Sequence, residues 1–184
     1  MTYLCKLAAG LCLLLISIVS ATHSEPVPYK SIAAVAWNRG RETGLPIPRY
    51  VSLKPQKARL RVGPGTIYPI KWIYLKSGLP LELIDEYGHW RQVRDSTGTT
   101  GWMHFALLSG RRTGLVGPWL KTNAMLRSNP RSSASVVAEL QPGVLLSLRS
   151  CTGAWCQVSV ERHSTRGYVR QNLIWGAYPD EVFQ

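Results

Sequence analysis

Acidic residues are scarce in this 184-residue chain: 10 Asp and Glu stand against 22 Lys and Arg, a formal net charge of +12. A surface this basic is drawn to anionic polymers through its whole field rather than through one contact. The cations are spread, not clustered. Residues 57–112 carry nine basic and four acidic residues, and residues 113–175 carry seven and two. Arg111-Arg112 is the only adjacent basic pair and reads as a solvated linker.

Histidine and cysteine are sparse too, at four each. His23, His89, His104 and His163 are scattered, and Cys5 and Cys12 fall in a leader, which leaves Cys151 and Cys156. This excludes a Cys-His nucleophile pair and a four-ligand metal set. Glu82, Asp85 and Glu86 do cluster, but around one strand and its turn, where acids read as a solvated hairpin end. No repeated constellation supports catalysis, so the chain reads as a non-enzyme with no cofactor and no metal.

Long apolar runs are missing as well. Leu7 to Val19, at 13 residues, is shorter than the roughly 20 a membrane-spanning helix needs. With Lys6 before it and Val19-Ser20-Ala21 after it, the run reads as a secretory signal peptide cleaved after Ala21. Cys12 suggests a lipid anchor, but Leu11 before it is too large for that processing site. The expected location is therefore periplasmic or secreted, with membrane attachment only if the leader is retained.

What the chain has in abundance is self-similarity. Arg61 and Pro64 recur 66 residues on as Arg127 and Pro130. Gly78, Leu83, Gly88, Trp90 and Val93 recur 65 on as Gly143, Leu148, Gly153, Trp155 and Val158. Gly101, Trp102, Met103 and Leu107 recur 66 on as Gly167, Tyr168, Val169 and Leu173. So regular an offset marks a structural repeat. Each copy is small for a self-sufficient core, so the two are expected to pack together or share a strand. Short apolar runs between short Gly turns predict an all-β fold of small, tightly wound barrels. The first strand of copy one is expected at Tyr50–Lys54 and its counterpart at Trp119–Lys121, with Leu53 matched to Leu120. Cys151 and Cys156 flank a four-residue hairpin loop and face each other across its arms. That geometry, and an oxidising exported location, predict a disulfide.

Four segments taken in order resemble the bacterial SH3 domain: Leu60-Arg61-Val62-Gly63-Pro64-Gly65, Lys76-Ser77-Gly78-Leu79-Pro80-Leu81, Gly88-His89-Trp90 and Gly101-Trp102-Met103-His104. The likeness covers residues 46–108. It is less complete over 118–175, where Ser128-Asn129-Pro130-Arg131 replaces Gly-Pro-Gly. The chain is similar to exported tandem SH3-like proteins of the Gram-negative envelope. The resemblance implies two tandem small SH3-like β-barrels after a signal peptide and tether. The expected boundaries are signal peptide 1–21, flexible tether 22–44, first barrel 45–110, connector 111–117, second barrel 118–176 and tail 177–184.

The resemblance also implies binding, because members found beside peptidoglycan hydrolases recognise the cell wall. In SH3-like barrels an aromatic groove beside the first long loop takes extended peptide. The repeated pairs Trp90/Trp155 and Trp102/Tyr168 are expected to fill the barrel cores. The unrepeated Tyr68, Trp72 and Tyr87 are the expected ligand contacts. Peptidoglycan or wall peptides are the expected partner. The alternatives are an envelope protein offering an extended segment and an anionic surface held by charge alone. Export argues against nucleic acid.

Overall fold

A computed structural model describes residues 38–160 and 165–184. The expected signal peptide and residues 22–37 of the expected tether lie outside the described residues. Among the described residues no helix is long and apolar enough to cross a membrane.

Period-two alternation sets the inside of each barrel. In β4 (Ala58–Arg61), Ala58 and Leu60 are buried while Arg59 is exposed. The same alternation recurs over Trp90–Arg94 and Thr100–His104. Six further strands complete the first barrel. These are β3 (Arg49–Leu53), β5 (Ile70–Tyr74), β6 (Pro80–Tyr87), β7 (Trp90–Arg94), β8 (Thr100–His104) and β9 (Leu108–Ser109). They form one antiparallel sheet in the order β5-β4-β8-β7-β6-β3-β9. A short hairpin precedes it, β1 (Asn38–Arg39) with β2 (Pro46–Ile47). The second barrel holds β10 (Thr113–Val116), β11 (Ala124–Arg127), β12 (Val136–Leu140), β13 (Leu145–Thr152), β14 (Trp155–Val160), β15 (Thr165–Arg170), β16 (Ile174–Trp175) and β17 (Val182–Phe183). Its order repeats the first, β12-β11-β15-β14-β13-β10-β16, with β17 added alongside β13. The chain is thus all-β, two tandem curled sheets.

The two cores match position for position. Leu60, Leu81, Leu83, Val93 and Met103 fill the first, and Leu126, Leu146, Leu148, Val158 and Val169 fill the second. Burying each such side chain contributes about 1.5–3 kcal/mol. The repeated aromatics lie outside both cores. Trp90 and Trp102 alternate with the buried Arg91, Val93 and Met103, so their parity sends them to the outer face. Trp155 is only 7% exposed, yet it is no member of the second core cluster.

Several boundaries expected from the sequence move. Residues 38–44 are no tether but a clasp built onto the first barrel. The backbone N–H groups of Glu42 and Thr43 and the Thr43 hydroxyl all donate to the Glu86 carboxylate, at 3.0, 2.9 and 2.7 Å. Gly40 is needed there because a Cβ would run into that carboxylate. The connector is also structural. Thr113–Val116 is fully buried as β10 and pairs with β13 as β3 pairs with β6. Leu53 therefore corresponds to Val116, not Leu120. Three extra residues lie between Gly117 and Asn123, compared with Lys54–Lys57, and restore the 66-residue offset by Ala124. The tail is held in the same way. Gln171, 2% exposed, donates through Nε2 to the carbonyls of Tyr178 and Glu181 at 2.7 and 2.9 Å. Arg112 is no solvated linker: it donates to both oxygens of Glu181 and lies over the Phe183 ring at 4.1 Å.

The barrels pack on each other through a polar-aromatic seam. Tyr50 meets Trp175 edge-on at 5.3 Å and Tyr178 at 4.7 Å. The Tyr178 hydroxyl donates to Glu82 at 3.0 Å, and the Trp175 indole N–H donates to the Pro80 carbonyl at 3.3 Å. The buried Ser52 and Thr113 hydroxyls are 2.6 Å apart. Burial, then the Glu82 charge, raises the phenols of Tyr50 and Tyr178 well above the usual tyrosine range. Both stay protonated at any ordinary pH, so Tyr178 remains a donor to Glu82.

Candidate ligand-binding surface

The loop from β4 to β5 carries the glycines and the first expected aromatic. Tyr68 folds back over Gly63, where a Cβ would come within 2.5 Å of the ring. Arg61 fixes the loop by donating to the Tyr68 carbonyl at 2.6 Å. Beyond the loop, β5 is the sheet's edge strand, and its first four residues are exposed on both faces. Trp72 pairs with Leu60 yet is 57% exposed, and Ile67 in the loop is 89% exposed. With Ile70 and Ile73 they make an apolar surface along an unpaired strand edge.

The aromatic part of this surface belongs to the first barrel alone, although the second barrel's edge strand β12 also exposes Val136 and Val137. The second barrel's loop has the same length and the same anchor, with Arg127 donating to the Ala134 carbonyl at 2.7 Å. At the positions of Ile67, Tyr68, Trp72 and Ile73, however, it carries Ser133, Ala134, Ala138 and Glu139. The duplication kept the scaffold and differentiated the surface.

Behind the loop, on the outer face of β4, β8 and β7, lies a groove of about 390 Å³. Lys57, Arg59, Arg61, Thr66, Trp90 and His104 line it. Trp90 and His104 are ladder partners, and their rings meet edge-on at 5.7 Å. His104 Nδ1 accepts the Ala106 N–H at 3.3 Å, which orients the imidazole at the start of a short 3-10 turn (Phe105–Leu107). No carboxylate lines the groove, and among the described residues neither Lys57 nor Arg59 has an acidic partner. Cations beside an aromatic wall suit an anionic ligand with a flat or apolar portion.

The three expected contacts separate. Tyr68 and Trp72 share one loop-to-strand segment. Tyr87, 57% exposed, is on β6, with β4, β8 and β7 between it and β5. It pairs with Trp90, so it shares that residue's face. Arg59, Arg61, Trp90 and His104 were not among the expected contacts. The available signal was parity: Trp90 lies two residues from Gln92, a polar neighbour on the same face.

The acidic cluster is not a solvated hairpin end. Glu86 is fully buried, and Arg49 donates to it at 2.8 Å. Burial alone would raise its pKa; the bonds from Arg49, Thr43 and Glu42 outweigh that and hold it at about 2. Its ladder partner is Arg91, 3.6 Å away. The equivalent ladder pair in the second barrel is Cys151 and Cys156, joined as the expected disulfide with Cα atoms 4.1 Å apart. Among the described residues no group of three His, Cys, Asp or Glu could hold a metal ion.

A model of the family described as "Bacterial SH3 domain" matches residues 54–110 and 121–176. Among solved structures, the chain is similar to an NlpC/P60 family protein from Bacillus cereus ATCC 10987, at 16% identity and a TM-score of 0.30, over 68% of this chain and 55% of that one. It is also similar to NlpC2 from Trichomonas vaginalis, at 10% identity and a TM-score of 0.30, over 70% and 48%. The chain thus spans about half the length of these structures. No curated protein matches it.

Proposed function

The chain belongs to the bacterial SH3 domain family, and from that premise we propose that it is a non-catalytic module, exported to the envelope, whose first barrel binds peptide portions of the cell wall. Bacterial SH3 domains are typically cell-wall binding modules and generally non-catalytic. The observation that carries the reading is the groove in which Lys57, Arg59 and Arg61 stand beside Trp90 and His104. Wall stem peptides are extended and bear free carboxylates, which three cations can hold while the aromatic wall covers the apolar part. Tyr68 and Trp72 form a separate aromatic surface on the loop and β5, Trp72 on the face of its ladder partner Leu60 and outside the groove's lining. The test is sedimentation of residues 22–184 with purified Gram-negative sacculi at low and physiological salt. Saturable binding that survives salt and weakens about tenfold in Trp90→Ala or Arg59→Ala is expected, a loss of about 1.4 kcal/mol. No saturable binding to sacculi would sink the reading.

One observation favours a second reading. The open edge of β5, apolar on both faces, can accept a partner's extended segment as an added strand. Cross-linking in cells from position 72 separates the two: protein adducts without wall fragments would favour an envelope protein.

A further inference from the structure

We propose that the two barrels are unequal in binding, and that the second barrel's copy of the groove is closed by its own Arg170. This deepens the wall-peptide reading and rests on it for the source of the ligand.

The correspondence is residue for residue. The loops Arg61–Ile70 and Arg127–Val136 have equal length and equivalent end pairings, so Thr66 corresponds to Ser132. Trp90 and His104 are ladder partners, as are Trp155 and Arg170. In the first barrel Thr66, Trp90 and His104 line an open groove. In the second the same three positions are bridged. The Arg170 guanidinium lies over the Trp155 ring at 4.5 Å and donates to the Ser132 hydroxyl. Trp155 is left only 7% exposed. A stacked guanidinium with a hydrogen bond at its far end makes a good internal lid. His104 is shorter and is turned to the Ala106 N–H, so it leaves the Thr66 side open.

The charges differ in the same sense. Lys57 and Arg59 of the first groove correspond to Asn123 and Met125. Asn123 is engaged with Glu139 at 3.1 Å. The first groove therefore holds three cations, Lys57, Arg59 and Arg61, against Arg127 and the lid Arg170 in the second, and no guanidinium lies over its half-buried indole. The ligand chemistry that fits it is a carboxylate-bearing peptide: carboxylate on Lys57 and Arg59, an apolar or planar face on Trp90. In the second barrel Asn123 and Met125 replace those two cations and Arg170 covers the indole, so each chain takes one such ligand.

The test uses indole N–H resonances of the mature chain, residues 22–184, titrated with soluble muropeptides released from sacculi and, separately, with a short poly-glutamate peptide. In the native protein Trp90 should shift saturably with muropeptides while Trp155 stays still. His104→Arg should lower the Trp90 affinity by about tenfold or more, which is about 1.4 kcal/mol. Arg is tolerated at this place, because Arg170 occupies it in the second barrel without any side-chain cap. Arg170→His should make Trp155 respond. Equal response of Trp90 and Trp155 in the native protein, or an unchanged Trp90 response in His104→Arg, overturns the proposal even if sacculi bind. A Trp90-only response to poly-glutamate with none to muropeptides keeps the unequal grooves and removes the wall reading. No response of Trp90 to either probe overturns both.

Discussion

Glu86 and Arg91 occupy the ladder position that the second barrel fills with a disulfide, and the two solutions make different demands on their surroundings. A disulfide needs only its own geometry, and Cys151 and Cys156 sit within the apolar core. A buried carboxylate needs partners, and Glu86 recruits Arg49, Thr43 and two backbone N–H groups from the clasp. The result is an acid-sensitive joint. A carboxyl whose folded pKa lies below its unfolded value contributes stability above the unfolded value and loses it as pH falls through the folded one. For Glu86 that window runs from 4.5 down to about 2. Above it the ionised carboxylate contributes about 3 kcal/mol, since a tenfold change in proton affinity is worth about 1.4 kcal/mol. Glu86→Gln should destabilise the protein by about 3 kcal/mol at pH 7, because it leaves Arg49 and Arg91 without their charge partner. Its deficit against the native protein should shrink between pH 4.5 and 2, as followed by urea midpoints. A deficit constant across that range would mean that Glu86 is not ionised in the fold.

The β13–β14 hairpin was legible in the sequence because everything it needs is local: two cysteines, a Gly turn and alternation. Its disulfide closes a short loop, and the chain-entropy relation gives about 2 kcal/mol for it. Cys151→Ser with Cys156→Ser should cost about that much, and a reducing agent should bring the native protein down to the same unfolding midpoint. If reduction changes nothing, the pairing is not formed in solution. Other segments lack local signals. Residues 38–44 have no apolar period; they are ordered by a carboxylate more than forty residues away. Thr113–Val116 is hidden by the three-residue insertion after it, which makes Leu120 look like the partner of Leu53. The site is half legible for a related reason. Tyr68 and Trp72 stand out because they are not repeated, whereas the repetition of Trp90 points it to the core. Repetition marks what the two copies share, and here they share an outer-face tryptophan, Trp90 and Trp155, as well as a core.

Between the barrels the sequence predicts contact but not its kind. The seam is built from side chains that the repeat does not share: Tyr50 aligns with Thr113, and Tyr178 lies beyond the second copy. It is also polar at its centre, with Glu82 taking the Tyr178 hydroxyl on one oxygen and Arg94 on the other. Such a seam couples two small cores, each marginal by itself, into one cooperative unit. The expected consequence is a single unfolding transition for the native protein, identical by tryptophan fluorescence and by far-ultraviolet circular dichroism. Trp175→Ala removes the edge-on contact with Tyr50 and the bond to the Pro80 carbonyl. Large-to-small changes at such a position cost about 3–5 kcal/mol. The loss falls on the seam rather than on either core, so the variant should unfold in two steps, the disulfide-free first barrel melting before the second. A reducing agent should then bring the two steps together by lowering the later one. A Trp175→Ala protein that still unfolds in one step, merely at a lower midpoint, would show that the barrels are joined by more than this seam.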